Sequence, residues 1–337
     1  MNSIVVMHDF FVDRIIRLDS KEQFFYALSE KSRFGGGSIR GIHTVDIKGG
    51  NAVNVAYCLA KLGISVILFT IADEIGSAIL KQGFSKFGDK VNLHITNGKH
   101  GHTTSFEFQD EKKSKINIMV SDVGDNISFG PDQINSDDDL KILRNADGVI
   151  VLNWASNKRG TQLIEHVFRN SPKALHFIDP ADIETRKQDF KESLSDLADI
   201  IDILSINENE CNSLAKAVGL DSISISTSDS NIDTIKHAAK NLAEKIGISV
   251  DLHTRRGAAW SNGKEAIFAH AIKVEPKTLT GAGDCWDAAD IIGYMAGLDT
   301  LERLIFANAC ASLYIRSPHI EPPTMNEIFD LLERIDF

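Results

Sequence analysis

Only four cysteines occur in 337 residues, and Cys58, Cys211, Cys285 and Cys310 lie far apart with no CxxC pair. Neither a zinc site nor a disulfide framework is signalled, and a reducing cytoplasm is the expected setting. No stretch of 18 uncharged apolar residues is available to span a membrane. The start of the chain, Met1 to Asp9, lacks the basic segment of a signal peptide. Nor is there a block of Lys or Arg: 36 basic residues stand against 47 acidic ones, a net charge of −11. A phosphate-backbone binder needs a basic footprint, so nucleic acid is not an expected partner. No GxGxxG follows the first apolar run and no GxxxxGK[ST] occurs. These absences argue against a nicotinamide enzyme on a Rossmann fold and against a Walker-type nucleotidase.

What is present has the balance of a folded soluble chain, with 43% hydrophobic and 25% charged residues. The length suits two domains, or one large α/β domain carrying an insertion. Short runs rich in Val and Ile, at Ile4–Met7, Ile64–Ala72, Gly148–Leu152, Leu175–Ile178, Ile203–Ile206 and Ile248–Leu252, read as strands buried on both faces. Helical spacing lies between them: Ala52, Val55, Ala56, Leu59 and Leu62 share one face, and Gly63 closes the run. Glu74–Phe87, Thr161–Arg169, Asn209–Val218 and Ile232–Ile246 have the same pattern, and the chain closes with helices at 283–297, 300–316 and 325–335. This alternation predicts a three-layer α/β/α domain with a mainly parallel sheet.

Two regions break the pattern. Residues 14–48 carry alternating segments and the cluster Gly35-Gly36-Gly37, while Thr103–Val120 reads as a hairpin around Asp110-Glu111-Lys112-Lys113. We expect these to form a small β lid, at 14–48 and 103–120, projecting from a main domain made of 1–13, 49–102 and 121–337. Asn262-Gly263 marks another hairpin.

The chemistry concentrates in Thr278-Leu279-Thr280-Gly281-Ala282-Gly283-Asp284-Cys285-Trp286. Small residues turning into a helix leave the amides of Ala282, Gly283 and Asp284 converging at the positive end of its dipole, which makes an anion hole. Asp284 would stand beside the bound anion and can accept a proton from a hydroxyl; an ordinary Asp at a helix start has the same local sequence. In Gly49-Gly50-Asn51-Ala52-Val53-Asn54, the two asparagines are three apart and share a face near a helix start. They suit either hydroxyl binding or capping.

Together the two segments resemble the signatures of the ribokinase, or PfkB, family of carbohydrate kinases: GGNAxNxAxxLAxLG, running here from Gly49 to Gly63, and GAGDxFxxA, beginning here at Gly281. The resemblance implies a ribokinase-like fold and transfer of the γ-phosphoryl group of Mg-ATP to a hydroxyl. It places the base on Asp284 and charge stabilisation on the amides of Gly281, Ala282 and Gly283. The acceptor-binding Asp falls on Asp13, with Gly50, Asn51 and Asn54 lining the same pocket and Asn153 nearby. The family's NxxE, which organises magnesium and phosphate through water, falls on Asn207 and Glu210. Asn308 matches the residue bordering adenine, and the nucleotide loop falls on Leu252 to Gly257, giving Thr254, Arg256 and Gly257. That loop departs from the family's TxGxxG by keeping only its last glycine. The Asp that precedes GAGD in many relatives and helps hold potassium is here Thr278.

The expected partners are a sugar, polyol or nucleoside, with a homodimer formed through the lid. Two alternatives stay open at this point: a non-catalytic ligand sensor on the same fold, and a kinase of a phosphorylated or acidic sugar. The latter would need a cation such as Lys158, Arg159 or Arg186 in the pocket.

Overall fold

Ile4, Val5, Val6 and Met7 are all fully buried, and they alternate between two separate apolar cores. Val5 and Met7 face one core and Ile4 and Val6 the other, as a strand covered on both faces requires. This is the centre of a three-layer molecule, seen in a computed structural model that describes residues 3–109, 115–226, 231–278 and 280–335. The strands are β1 (Ser3–His8), β2 (Phe11–Arg17), β3 (His43–Gly49), β4 (Ser65–Ala72), β5 (Val91–Asn97), β6 (Gly101–Gln109), β7 (Lys115–Asp122), β8 (Gly148–Leu152), β9 (Leu175–Asp179), β10 (Ile203–Asn207), β11 (Ser249–Thr254), β12 (Gly257–Ser261) and β13 (Ala266–His270).

The large sheet has the order β13-β12-β11-β10-β9-β8-β1-β4-β5. The seven strands from β11 to β5 are parallel, and β12 and β13 add an antiparallel edge at the hairpin expected around Asn262-Gly263. Helices Asn51–Lys61, Ala282–Ala296 and Thr300–Arg316 bury their apolar faces in the core of Ile4 and Val6. Helices Gly160–Arg169, Lys187–Leu197, Glu208–Ala217 and Ile232–Ile246 cover the opposite face. The chain builds outward from β1 through β4 and β5 on one side, then returns to β8 on the other. The crevice between β1 and β8 is therefore the topological switch point, where ligands of open α/β sheets bind.

A second sheet, ordered β3-β2-β6-β7, grows from the strand ends, because only Asp9 and Phe10 separate β1 from β2. Here the structure differs from the sequence expectation for 14–48, which contains a 13-residue helix, Lys21–Arg33, between two strands. Ser20 caps that helix by accepting from the N–H of Gln23, yet none of its residues is buried, so apolar periodicity gave no signal for it. The Asp110–Lys113 turn and Leu279 lie outside the described residues.

Beneath the large sheet's ligand edge, the buried guanidinium of Arg303 pairs with Asp251 of β11 and Asp290 of helix Ala282–Ala296. Tyr294 donates its hydroxyl to the same Asp251 at 2.9 Å. The cluster fixes two helices to the strand that leads into the site.

Candidate active site

The site is a cavity of about 1350 Å³ between the small sheet and the C-terminal ends of the large-sheet strands. Phe11, Asp13, Thr103, Met119 and Ser121 line it from the small sheet. One half is built at the switch point. The fully buried Asp9, just after β1, accepts the backbone N–H groups of Asn51 and Ala52, each at 2.9 Å, and so caps helix Asn51–Lys61 from across the chain. The same carboxylate accepts Asn153 Nδ2 at 2.8 Å, drawing the end of β8 to the end of β1. Asn153 sits in the left-handed region at φ 54, a conformation Asn tolerates better than most residues. Gly50 has φ 96, and a Cβ there would meet Asp9 O at 2.7 Å, so only glycine lets the helix start come this close to the strand.

The second half is helix Ala282–Ala296. Gly281 caps it at φ 82, where a Cβ would lie 2.6 Å from the Tyr314 hydroxyl. Among the described residues no side chain caps this start, which leaves the first-turn amides directed at the cavity. Asp284 lies in that first turn and is buried. Its Oδ1 accepts Asn51 Nδ2 at 2.9 Å and its Oδ2 accepts Asn54 Nδ2 at 2.8 Å. Burial pushes its pKa well above the ordinary range, opposed by the hydrogen bond from Asn54; the carboxylates of Asp179 and Asp9 push it up further, and Asn51 also opposes. A carboxylate with a raised pKa, beside unpaired amides, can take a proton from an alcohol while the amides receive negative charge.

Asp13 lines the cavity from β2, and burial pushes its pKa up to about 6. Asn207 and Glu210 form a capping box: Glu210 accepts the N–H and Nδ2 of Asn207, while Asn207 Oδ1 accepts the N–H groups of Asn209 and Glu210. Both glutamate oxygens are thus engaged within the protein. Asn308 is buried rather than on a helix surface. Its Nδ2 donates to the carbonyls of Ala269 and His270, and its Oδ1 accepts Trp286 Nε1 at 2.9 Å. Thr254 lines the cavity and ties its turn together, accepting the N–H of Arg256 and donating to Gly257 O. Arg256 and Gly257 are not among the lining residues, whereas Arg255 is.

The structure therefore brings Asp13, Gly50, Asn51, Asn54, Asn153, Asn207, Glu210, Thr254, Gly281, Ala282, Gly283, Asp284 and Asn308 to one cavity. Sequence reasoning placed the acceptor-binding Asp on Asp13 and gave Asp9 no role; its signal was the match of its position, directly after β1, to a helix start still lacking a cap. The three basic side chains considered for the pocket point elsewhere. Arg186 donates to the carbonyls of Trp154, Ala155 and Asn157, Arg159 pairs with Asp132 at 2.6 Å, and Lys158 is exposed outside the lining. The basic residues that do line the cavity are Arg255 and Lys273, while Asp13, Asn51, Asn54 and Asn153 bring a carboxyl and amides to it.

No helix among the described residues is long and apolar enough to cross a membrane. The profile of the pfkB family of carbohydrate kinases matches residues 13–325. A ribokinase of Arabidopsis thaliana is 26% identical over 300 residues, covering 85% of this chain and 72% of the relative. A 5-dehydro-2-deoxygluconokinase of Bacillus subtilis is 24% identical over 305 residues, covering 85% and 86%. The solved structure of Arabidopsis thaliana ribokinase, complexed with ribose and ATP, superposes with a TM-score of 0.73 at 23% identity over 99% of both chains, which establishes a ribokinase-like fold. With that fold, and with a family match spanning most of its length, the chain belongs to the pfkB family of carbohydrate kinases and is a carbohydrate kinase.

Proposed function

We propose that the protein transfers the γ-phosphoryl group of Mg-ATP to a hydroxyl of an uncharged sugar, polyol or nucleoside, with Asp284 as the base. The observation that carries this reading is the position of Asp284: both its oxygens are held by Asn51 and Asn54 at the mouth of an uncapped helix start. In this reading Asp13, Gly50, Asn51, Asn54 and Asn153 hold the acceptor, and Asp284 takes the proton of the attacking hydroxyl. The amides of Gly281, Ala282 and Gly283 receive charge from the transferred group. Asn207, Thr254 and Asn308 border the nucleotide, with Arg255 taking the place expected for Arg256 and Gly257. A cavity of about 1350 Å³ exceeds the roughly 300–1,000 Å³ of a single small-ligand site and suits two ligands side by side. The basic lining residues, Arg255 and Lys273, come from the end of β11 and the stretch after β13, not from the elements that carry Asp13, Asn51, Asn54 and Asn153, which favours an uncharged acceptor over a phosphorylated or acidic one.

Because Asn207 occupies both oxygens of Glu210, this residue fits magnesium held through water rather than by direct ligation. When bound, the ion neutralises phosphate charge. The small sheet, over 14–48 and 103–120, is read as a lid on a main domain of 1–13, 49–102 and 121–337, supported by Thr103, which lines the cavity, and by Met119 beside it. Phe25 and Tyr26 are 58% and 69% exposed, and Ile118 and Val120, on the face of β7 turned away from the cavity-lining Met119, are 51% and 63% exposed. A homodimer through this face would cover them, and light scattering at micromolar concentration tests it. Four free, buried thiols fit a cytoplasmic setting. A turnover screen of ATP against sugars, polyols and nucleosides, read as acceptor-dependent ADP release, tests the proposal: a non-catalytic sensor would bind an acceptor and release none.

A further inference from the structure

One turn beyond Asp284 on the same helix, and unused by phosphoryl transfer, stands Asp287. It is fully buried; its Oδ1 accepts Ser205 Oγ from β10 at 2.6 Å, and its Oδ2 has no hydrogen-bond donor. Two further donors close on it from neighbouring strands. Asp179, the last residue of β9, is buried and accepts the N–H of Ala181 at one oxygen. His253 of β11 has a buried Nε2 with no partner. One ligand atom from each of the three lies within 4.8 Å of the other two.

From this cluster we infer a divalent transition-metal site, formed by Asp179, His253 and Asp287, that ties the helix bearing Asp284 to β9 and β11. A proton shared between the two carboxyls would satisfy them and still leave His253 Nε2 bare, whereas one cation serves all three. Two ligands of one ion at about 2.1 Å stand up to about 4.2 Å apart, so modest side-chain rotation closes the set. The donor chemistry selects the ion: one imidazole with two carboxylates suits zinc or manganese, whereas magnesium and calcium favour oxygen donors alone. Burial pushes His253 down to about 4, so the imidazole is neutral and its lone pair is free to ligate at physiological pH. Burial pushes Asp287 and Asp179 upward, a cost that a resident cation removes. The neighbouring Asp284 carries part of the same repulsion, so the ion would hold the helix start in place and lower the pKa of Asp284. Asp179 and His253 also line the active-site cavity, so the test is made on ion binding and unfolding, which need no phosphoryl transfer.

The full chain, stripped with chelator and free of nucleotide and acceptor, is titrated with Mn²⁺ and with Zn²⁺ by equilibrium dialysis, and its thermal unfolding is followed in parallel. One ion per chain and a raised Tm are expected. Asp287→Asn and His253→Gln should each weaken binding at least tenfold, as losing a ligand or its close support does. Glu327→Gln, which alters the capping box that Thr324 and Glu327 form on helix Met325–Leu332 and not this cluster, should leave binding intact. His253→Gln keeps the test open should Asp287→Asn fail to fold, because His253 is only half-buried. No ion bound by the wild type, or binding that survives both ligand substitutions or is abolished by Glu327→Gln, overturns the inference.

Discussion

Asn54 and Asp284 are 230 residues apart in the chain, yet Asn54 Nδ2 donates to Asp284 Oδ2 at 2.8 Å. This bond stabilises the ionised carboxylate against the burial that opposes it. Asn54→Ala should therefore raise the pKa of Asp284 further. The acid limb of the kcat profile is expected to move upward by about one pH unit, equivalent to roughly 1.4 kcal/mol, the scale of one charge-assisted hydrogen bond. A pH–rate series on both proteins measures the shift.

Asp13 carries a sign that runs against stability. Its pKa is pushed by burial from 3.8 to about 6, so its contribution to folding is fully present below pH 3.8 and lost as pH rises through about 6. Asp13→Asn is expected to stabilise the protein at pH 7.5 by roughly 1–3 kcal/mol, with the gain gone at pH 3.8. The same variant should raise the acceptor KM far more than that of ATP, and the wild-type acceptor KM should climb as pH falls through about 6. Denaturant melts at several pH values and paired KM measurements check both halves.

Arg303 offsets two buried carboxylates, Asp251 and Asp290. Arg303→Leu leaves them uncompensated and should cost about 3–5 kcal/mol. Urea unfolding reads the loss, and Asp290→Asn combined with Arg303→Leu should recover part of it.

Thr278 stands where many relatives have the Asp that helps hold potassium, and a hydroxyl brings no charge to offset a dehydrated cation. Replacing a bulky organic cation by potassium at fixed ionic strength should change turnover less than about threefold, roughly 0.6 kcal/mol. Strong activation would mean that backbone carbonyls or another carboxylate supply the site.

Much of this architecture was legible because its causes are local. Ile4–Met7 reads as a doubly buried strand, and Ala52 to Leu62 as an amphipathic helix, since burial dictates both patterns. The glycine-rich start at Gly281–Asp284 is equally plain. Helix Lys21–Arg33 was not, because none of its residues is fully buried and it meets the small sheet through partial contacts such as Phe24 against Phe106. Asp9 received no role because its three donors come from Asn51, Ala52 and Asn153, positions that only the fold brings together. Asp179, His253 and Asp287 were invisible for the same reason: each sits on a different element, without the fixed spacing of a motif.

The most direct test of the account follows the phosphoryl group itself. With the best acceptor and γ-labelled ATP, label should pass into the acceptor in the wild type. Asp284→Asn should still bind the acceptor while transfer falls by roughly 10²–10⁴-fold, the range for losing a positioned base. Undiminished transfer by Asp284→Asn, or label found only in inorganic phosphate, would contradict the assignment of Asp284 as the base that directs ATP onto a hydroxyl.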